Sequence, residues 1–313
     1  MPASYSSLPV AILMATYNGQ RYLKEQLDSI AAQSYTHWRL WVSDDGSGDG
    51  TLDILSAYRE QWGPDKLSIF SGPRQGFQAN FISLTDRPEI EADYFAWSDQ
   101  DDLWLPDKLE RAVAALRPHG PARPALYCGR SLLVDSDNKE LGYSPLHNRR
   151  PPSFRNALLQ CLAGGNTMIF NRPARELIRL GRGLELSFHD WWAYLLISGA
   201  EGAVIYDPAP GLRYRQHGRN LMGENISFGA KFSRFSALLH GRMKAWNHLN
   251  IKALSTVSGK LTAPNRALFE DFKSMLQNPN PFVRLRLMRK AGLYRQTGLG
   301  QTGIYLALTL GRL

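Results

Sequence analysis

Two clusters of aspartates invite a chemical reading of this 313-residue chain. Asp44 and Asp45 open the run DDGSGDG, and Asp99, Asp101 and Asp102 sit in SDQDD. Gathered carboxylates repel one another unless a cation or hydrogen-bond donors offset them. Either acidic turn alone reads equally well as surface decoration, but two facing one crevice call for a ligand. The Asp-x-Asp spacing has its own logic. Residues i and i+2 leaving a strand project to one side, so Asp99 and Asp101 can approach one ion. Mg2+ commonly keeps one or two protein carboxylates and takes its other oxygens from water and substrate phosphates, so a diphosphate would complete the site. No EF-hand loop, HExxH, paired CxxC or GxxxxGK[ST] occurs, which disfavours a Ca2+ cage, a zinc protease, a zinc ribbon and a P-loop NTPase.

For the acidic turns to meet, both must lie beyond the carboxyl ends of neighbouring strands, where open α/β sheets bind ligands. The first half of the chain alternates strand-like and helix-like stretches, the signature of such a sheet. Strands are expected over 10–15, 38–43, 66–70 and 94–97, ending respectively at Tyr17-Asn18, at Asp44-Asp45, in a Gly-rich turn and at Asp99. Between them, Leu23, Leu27, Ile30 and Ala31 mark one helix, and Leu52, Leu55, Tyr58 and Trp62 a second. A short third helix is expected over 77–84. A fourth is expected after Pro106, with Leu109, Val113 and Leu116 as its apolar stripe. From about residue 124 the pattern changes: strands over 125–134 and 167–170, a helix over 188–197, and two short strands, 204–206 and 212–215, around Pro208 and Pro210.

The bulk composition agrees with a folded α/β protein: 43% hydrophobic and 21% charged residues argue against disorder. No apolar run is long enough for a membrane span. The N-terminus lacks a basic stretch and reads as a first strand, not a signal peptide. Cys128 and Cys161 have no metal-ligand spacing and read as buried free thiols, so a cytoplasmic location is expected. The net charge of +9 is uneven: residues 228–313 hold 14 Lys/Arg against only Glu270 and Asp271. That split suggests two functional parts.

The runs ILMATYNGQRYLKEQLDSI, VSDDGSGDGT and WSDQDDLWLPDKL, in this order and spacing, resemble the nucleotide-binding half of a family 2 glycosyltransferase with the GT-A fold. The resemblance covers roughly residues 9–220. It implies a mixed, mainly parallel sheet flanked by helices in a catalytic domain over 1–227, with a nucleotide half at about 9–120 and an acceptor half at about 121–227. A basic helical region, 228–313, would follow. Thr16, Tyr17 and Asn18 would line the base and ribose pocket, with Asp44 and Asp45 on the nucleoside. Asp99 and Asp101 would bind Mg2+ or Mn2+, and Asp102 would support them. FHDWW resembles the segment carrying the catalytic base, which makes Asp190 the candidate; its plain alternative is a helix cap. The family's usual Glu-Asp pair is His-Asp here. YRQHGRN resembles the segment that closes over the diphosphate. His217 would then ligate the ion or a phosphate oxygen, and Arg215 or Arg219 would neutralise leaving-group charge; a solvated basic loop is the alternative. Gly165 and Asn166 match a stretch lining the acceptor side, or form a simple turn. Trp191 and Trp192 would pack on acceptor sugars, or belong to the core.

Within the family the wording is most like bacterial rhamnosyltransferases of lipopolysaccharide core or O-antigen assembly. The implied reaction is an inverting transfer from dTDP-L-rhamnose to a glycan or lipid-linked saccharide. Two rivals stay open: a metal-dependent nucleotide-sugar hydrolase or nucleotidyltransferase, and a non-enzymatic module using the basic tail. In that tail Phe228, Phe232, Phe235, Leu239, Met243 and Trp246 form a helical stripe beside Lys231, Arg234 and Lys244. A second helix, about 283–293, carries Arg284, Arg286, Arg289 and Lys290. Such helices can lie on an anionic membrane surface, at the inner face of the cytoplasmic membrane, or simply dock on the catalytic domain. No nucleic-acid-binding motif is present, so no nucleic-acid partner is expected.

Overall fold

The computed structural model describes residues 9–217 and 242–313. Arg219 and the tail stripe from Phe228 to Leu239, with Lys231 and Arg234, lie outside the described residues.

Four parallel strands carry the first half: β1 (Val10–Thr16), β2 (Trp38–Asp44), β3 (Leu67–Ser71) and β4 (Tyr94–Ser98). Their crossovers are α1 (Leu23–Ala31), α2 (Thr51–Trp62) and α3 (Phe77–Asp86). β1 is the axis, pairing with β2 on one side and β4 on the other. The registers Thr16 with Asp44 and Met14 with Ser98 bring the three strand ends to one edge. β1 alternates cleanly between two cores. Val10, Ile12 and Met14 pack with Leu23, Leu27 and Leu55, while Ala11 and Leu13 pack with Phe81, Trp97 and Phe170 on the opposite face. A sheet buried on both faces needs such apolar content at every position.

The second half comprises β5 (Leu103–Trp104), α4 (Lys108–Leu116), β6 (Ala125–Val134), β7 (Glu140–Tyr143), α5 (Phe154–Ala157), β8 (Ile169–Asn171), α6 (Arg172–Ile178), α7 (His189–Gly199) and β9 (Ala203–Arg215). The sheet runs β3-β2-β1-β4-β8-β6-β9-β5, with β7 on β6. Its long pairings are parallel and its short ones antiparallel. β8 lies antiparallel between β4 and β6 and so joins the two halves. This is the GT-A architecture.

One expectation is corrected here. The two strands anticipated around Pro208 and Pro210 are a single strand, β9, whose pairing with β6 shifts register near Gly129 and Arg130. The irregularity absorbs the missing proline N–H groups. Arg111 holds it, donating to the Ala209 and Pro210 carbonyls at 3.0 Å each and to Asp207 at 2.6 Å.

Helices α8 (Arg242–Thr256), α9 (Ala263–Gln277), α10 (Pro281–Lys290) and α11 (Gly298–Thr309) follow. Met243, Phe269, Phe272, Met288 and Ile304 share one core with Trp97, Phe170 and Trp192. Trp246 packs edge-on against Phe188 and Trp191, with ring centroids 5.3 and 6.5 Å apart. The described end of the first tail stripe therefore docks on the catalytic body. Cys128 is buried, Cys161 partly buried, and both are free thiols. Among the described residues, no helix is long and apolar enough to cross a membrane.

Candidate active site

Thr16 and Asp44 end adjacent strands in direct register, and their side chains meet. The Thr16 hydroxyl donates to Asp44 Oδ2 at 2.9 Å, and the Ser47 hydroxyl to the same oxygen at 2.5 Å. The amides of Gly46 and Ser47 donate to Oδ1 at 3.1 and 2.8 Å. Asp44 thus commits its carboxylate to shaping the turn. Asp45 does the same for the next loop, accepting from the amides of Arg74 at 2.6 Å and Gly76 at 2.8 Å. Gly72 is required beneath it, since a Cβ there would meet the Asp44 carbonyl and the Asp45 carboxylate at 2.9 Å. Asn18, in the left-handed region at φ 48, ties β1 to this turn through Ser47 Oγ and the Gly48 amide, both at 2.9 Å. Tyr17 stands at the rim, 58% exposed.

The loop after β4 is fastened to the loop after β1 by Gln100. Its Oε1 accepts from the Tyr17 amide at 2.9 Å, and its Nε2 donates to the Tyr17 carbonyl at 3.0 Å. The three aspartates around Gln100 have different environments. Asp101 Oδ2 lies 2.8 Å from His217 Nε2, and the His217 ring stacks on Tyr22. Asp99 is half-buried; burial first, then the negative charges of Asp101 and Asp190, push its carboxyl up to about 7. Asp102 is fully buried, accepting from Asn166 Nδ2 at 2.6 Å and from the Arg215 amide at 3.4 Å. Burial, and then Asp99 and Asp101, raise it well above the usual carboxylate range.

Two cations hold this loop from beneath. Arg215, buried at the end of β9, donates to the Asp101 carbonyl at 3.1 Å, to the Ser136 carbonyl at 2.8 Å and to Glu25 at 2.7 Å. Read from the sequence as a partner for the leaving group, it instead supports the aspartate loop. Lys108 carries no sequence signal beyond its place on an amphipathic helix, yet it is buried. Its Nζ donates to the Asn166 carbonyl at 2.5 Å and lies 3.5 Å from the Trp104 ring centroid. Burial draws Lys108 well below its ordinary pKa, and Asp102 and Asp99 pull it back up.

Asn166 belongs to the loop read as acceptor-facing, and that loop is tied to α7. The Gly165 amide donates to Asp190 Oδ2 at 3.1 Å, while Asp190 Oδ1 accepts from the Trp191 amide at 2.6 Å. Asp190 therefore satisfies a helix N-terminal amide and still reaches across to the loop. Burial pushes its carboxyl up to about 6, against the lowering effect of these hydrogen bonds and of the Cys161 thiol. His189 stacks on Phe81 with centroids 4.4 Å apart, and Trp97 closes on it edge-on at 4.7 Å. Neither ring nitrogen has a hydrogen-bond partner among the described residues, and burial draws the imidazole down to about 3. A Cβ at Gly165 would overlap its Nε2. Trp191 and Trp192 are not acceptor-facing. Both are buried, with their indole N–H groups bonded to the carbonyls of Ala157 at 2.7 Å and Ile178 at 3.0 Å.

Asp99, Asp101, His217, Asp190 and the Gly165–Asn166 loop thus converge. Arg215 supports them from behind, and the two tryptophans do not take part. Among the described residues no three His, Cys, Asp or Glu side chains already surround one point. The donor set suits a hard divalent ion whose remaining ligands are substrate oxygens: two carboxylates and an imidazole, with one carboxylate driven toward protonation by burial and then by its acidic neighbours.

A GT-A sheet with aspartates at adjoining strand ends suits a glycosyltransferase, and the sequence comparison shows that class. Residues 11–177 match the model of glycosyl transferase family 2, and the chain belongs to that family. It is 30% identical over 232 residues to the dTDP-rhamnosyl transferase RfbG of Shigella flexneri, covering 71% of this chain and 77% of that protein. The putative glycosyltransferase EpsE of Bacillus subtilis is 36% identical over 110 residues, 35% of this chain and 39% of that protein. Among solved structures, S. aureus TarS 1–349 in complex with UDP-GlcNAc superposes with a TM-score of 0.52 at 14% identity, covering 91% of this chain and 90% of that one. That likeness concerns the fold. Membership of the family removes the non-enzymatic reading of the chain.

Proposed function

We propose that this enzyme transfers L-rhamnose from dTDP-L-rhamnose, with inversion, to a saccharide acceptor in the synthesis of lipopolysaccharide or another cell-surface glycan. The choice of donor is supported by the 30% identity with a dTDP-rhamnosyl transferase across 71% of the chain. One observation supports the mechanism: Asp190 accepts from the Gly165 amide at 3.1 Å while the neighbouring Asn166 donates to Asp102 at 2.6 Å, so one short loop joins the proposed general base to the aspartate loop.

Tyr17, Thr16 and Asn18 hold the nucleoside end, on turns shaped by Asp44 and Asp45. Asp99, Asp101 and His217 would hold Mg2+ or Mn2+, which supplies Lewis-acid stabilisation of the departing diphosphate. Arg215 acts on that end through the Asp101 loop; Arg219 is the further cation for the leaving group. Gly165 and Asn166 line the acceptor side. Asp190 accepts the proton of the acceptor hydroxyl as its oxygen bonds to the anomeric carbon. The bond from that carbon to the phosphate oxygen breaks on the opposite face, and its electron pair leaves with dTDP. The carbon is oxocarbenium-like in between, and a single displacement inverts it. Work on a lipid-linked acceptor would bring the protein to the cytoplasmic side of a membrane as a peripheral partner.

Melting curves with dTDP-rhamnose, UDP-GlcNAc and GDP-mannose, each with Mg2+, Mn2+ or EDTA, test this reading. The largest stabilisation is expected for dTDP-rhamnose with metal. If no donor stabilises the protein more with metal than with EDTA, metal-dependent donor binding is wrong.

A further inference from the structure

Among the described residues, the two most exposed large apolar side chains both lie in the last two helices: Phe282 at 80% and Leu299 at 88%. On α11 the outward stripe is Leu299, Thr302, Leu306 and Thr309, continued by Leu310, while Ile304, Ala307 and Leu308 face the core. No residue of α11 is charged. On α10 the outward positions are Phe282, Arg286, Arg289 and Lys290. Arg284 is not among them, because its guanidinium donates to the carbonyls of Asn278 at 2.5 Å and Leu308 at 2.7 Å. The Leu308 bond sets the start of α10 beside the end of α11, so Phe282 falls at the Leu310 end of an antiparallel hairpin. Arg289 reaches α11 as well, 5.6 Å from the Tyr305 ring centroid. From Phe272 to Leu313 the chain has seven Lys or Arg and no Asp or Glu.

We infer that the outer face of the α10–α11 hairpin docks on an anionic phospholipid leaflet. Phe282 and the leucine stripe enter the acyl boundary while Arg286, Arg289 and Lys290 stay at headgroup level, which is how interfacial helices bind. A second copy of this chain fits the face poorly. A two-fold contact would set the same cations against one another with no carboxylate on either helix to offset them. The inference deepens the proposed work on a lipid-linked acceptor and takes its purpose from that reading, but its chemistry stands alone.

Sedimentation of the full chain with vesicles of phosphatidylcholine, with and without phosphatidylglycerol, tests it. Pelleting is expected only with the anionic vesicles and should fall as salt rises. Arg286→Glu with Lys290→Glu should weaken it about tenfold or more. Phe282→Ser with Leu299→Ser should abolish the salt-resistant part. Neither pair should alter the melting temperature or its donor-dependent shift. Equal pelleting on neutral and anionic vesicles, or none on either, overturns the inference. So does self-association that Leu299→Ser abolishes, which would mark a second copy as the occupant. A missing donor shift in the same samples counts against the proposed reaction and leaves the vesicle result standing.

Discussion

The ammonium of Lys108 donates to the main-chain carbonyl of Asn166 at 2.5 Å, fully buried, across 58 residues of sequence. Through Asn166, whose side-chain amide reaches Asp102, this bond couples the Gly165–Asn166 loop to the aspartate loop. Lys108→Met should leave that carbonyl unsatisfied and cost about 1–3 kcal/mol in thermal or denaturant unfolding. Turnover should fall by roughly 10–100-fold, the usual effect of removing a support behind metal ligands, the role proposed for Asp99 and Asp101. A variant with full activity would show that the network is passive.

In its proposed role as the base, Asp190, with its carboxyl pushed up to about 6, must be ionised. With metal saturating, so that Asp99 is held ionised, the rate at limiting donor should rise with pH through about 6 and level off above it. Asp190→Asn should lose roughly 10²–10⁴-fold in turnover yet keep its donor-induced melting shift. A shift lost together with activity would mean that Asp190 binds the donor or supports the fold.

His189 makes a separate prediction, about stability. Its imidazole is drawn down to about 3 by burial, whereas in the unfolded chain it protonates near its ordinary value of about 6.5. Between those values the unfolded state takes up a proton that the native state refuses. The residue's contribution is thus intact above about 6.5 and is lost as pH falls toward 3, by at most about 1.4 kcal/mol per pH unit. Between pH 6.5 and 4.5, His189→Phe should lose less melting temperature than the parent. Parallel curves for the two proteins would refute the assignment.

Gly165 lies against His189 with no room for a Cβ. Gly165→Ala should destabilise by about 1–3 kcal/mol and shift the amide that holds Asp190. Added to His189→Ala, the same change should cost much less, a coupling that a double-mutant cycle in urea would measure.

Much of the sheet was legible because parallel strands buried on both faces leave continuous apolar runs, as in residues 10–15. The aspartate turns were legible because they follow such runs. Lys108 was not, because a lysine before an apolar helix stripe normally faces solvent; only the packing of β9 and the Asn166 loop over α4 encloses it. Trp191 and Trp192 misled for the converse reason. Their aromatic faces suit sugars, and nothing local reveals that carbonyls from α5 and α6 take their N–H groups. Arg215 was recognised as part of the site, but its role depends on Glu25 and Ser136, partners far away in sequence.

The two-pronged clamp of Gln100 on the Tyr17 backbone makes the crevice edge a gauge of fixed span. With Gly19 leaving no side chain to push the amide aside, the Tyr17 rim and the aspartate loop are held together. A donor with its base at Tyr17 reaches Asp101 only if the linker between base and sugar has the right length. Preference for diphosphate over monophosphate donors would then be written into the spacing of two strand ends.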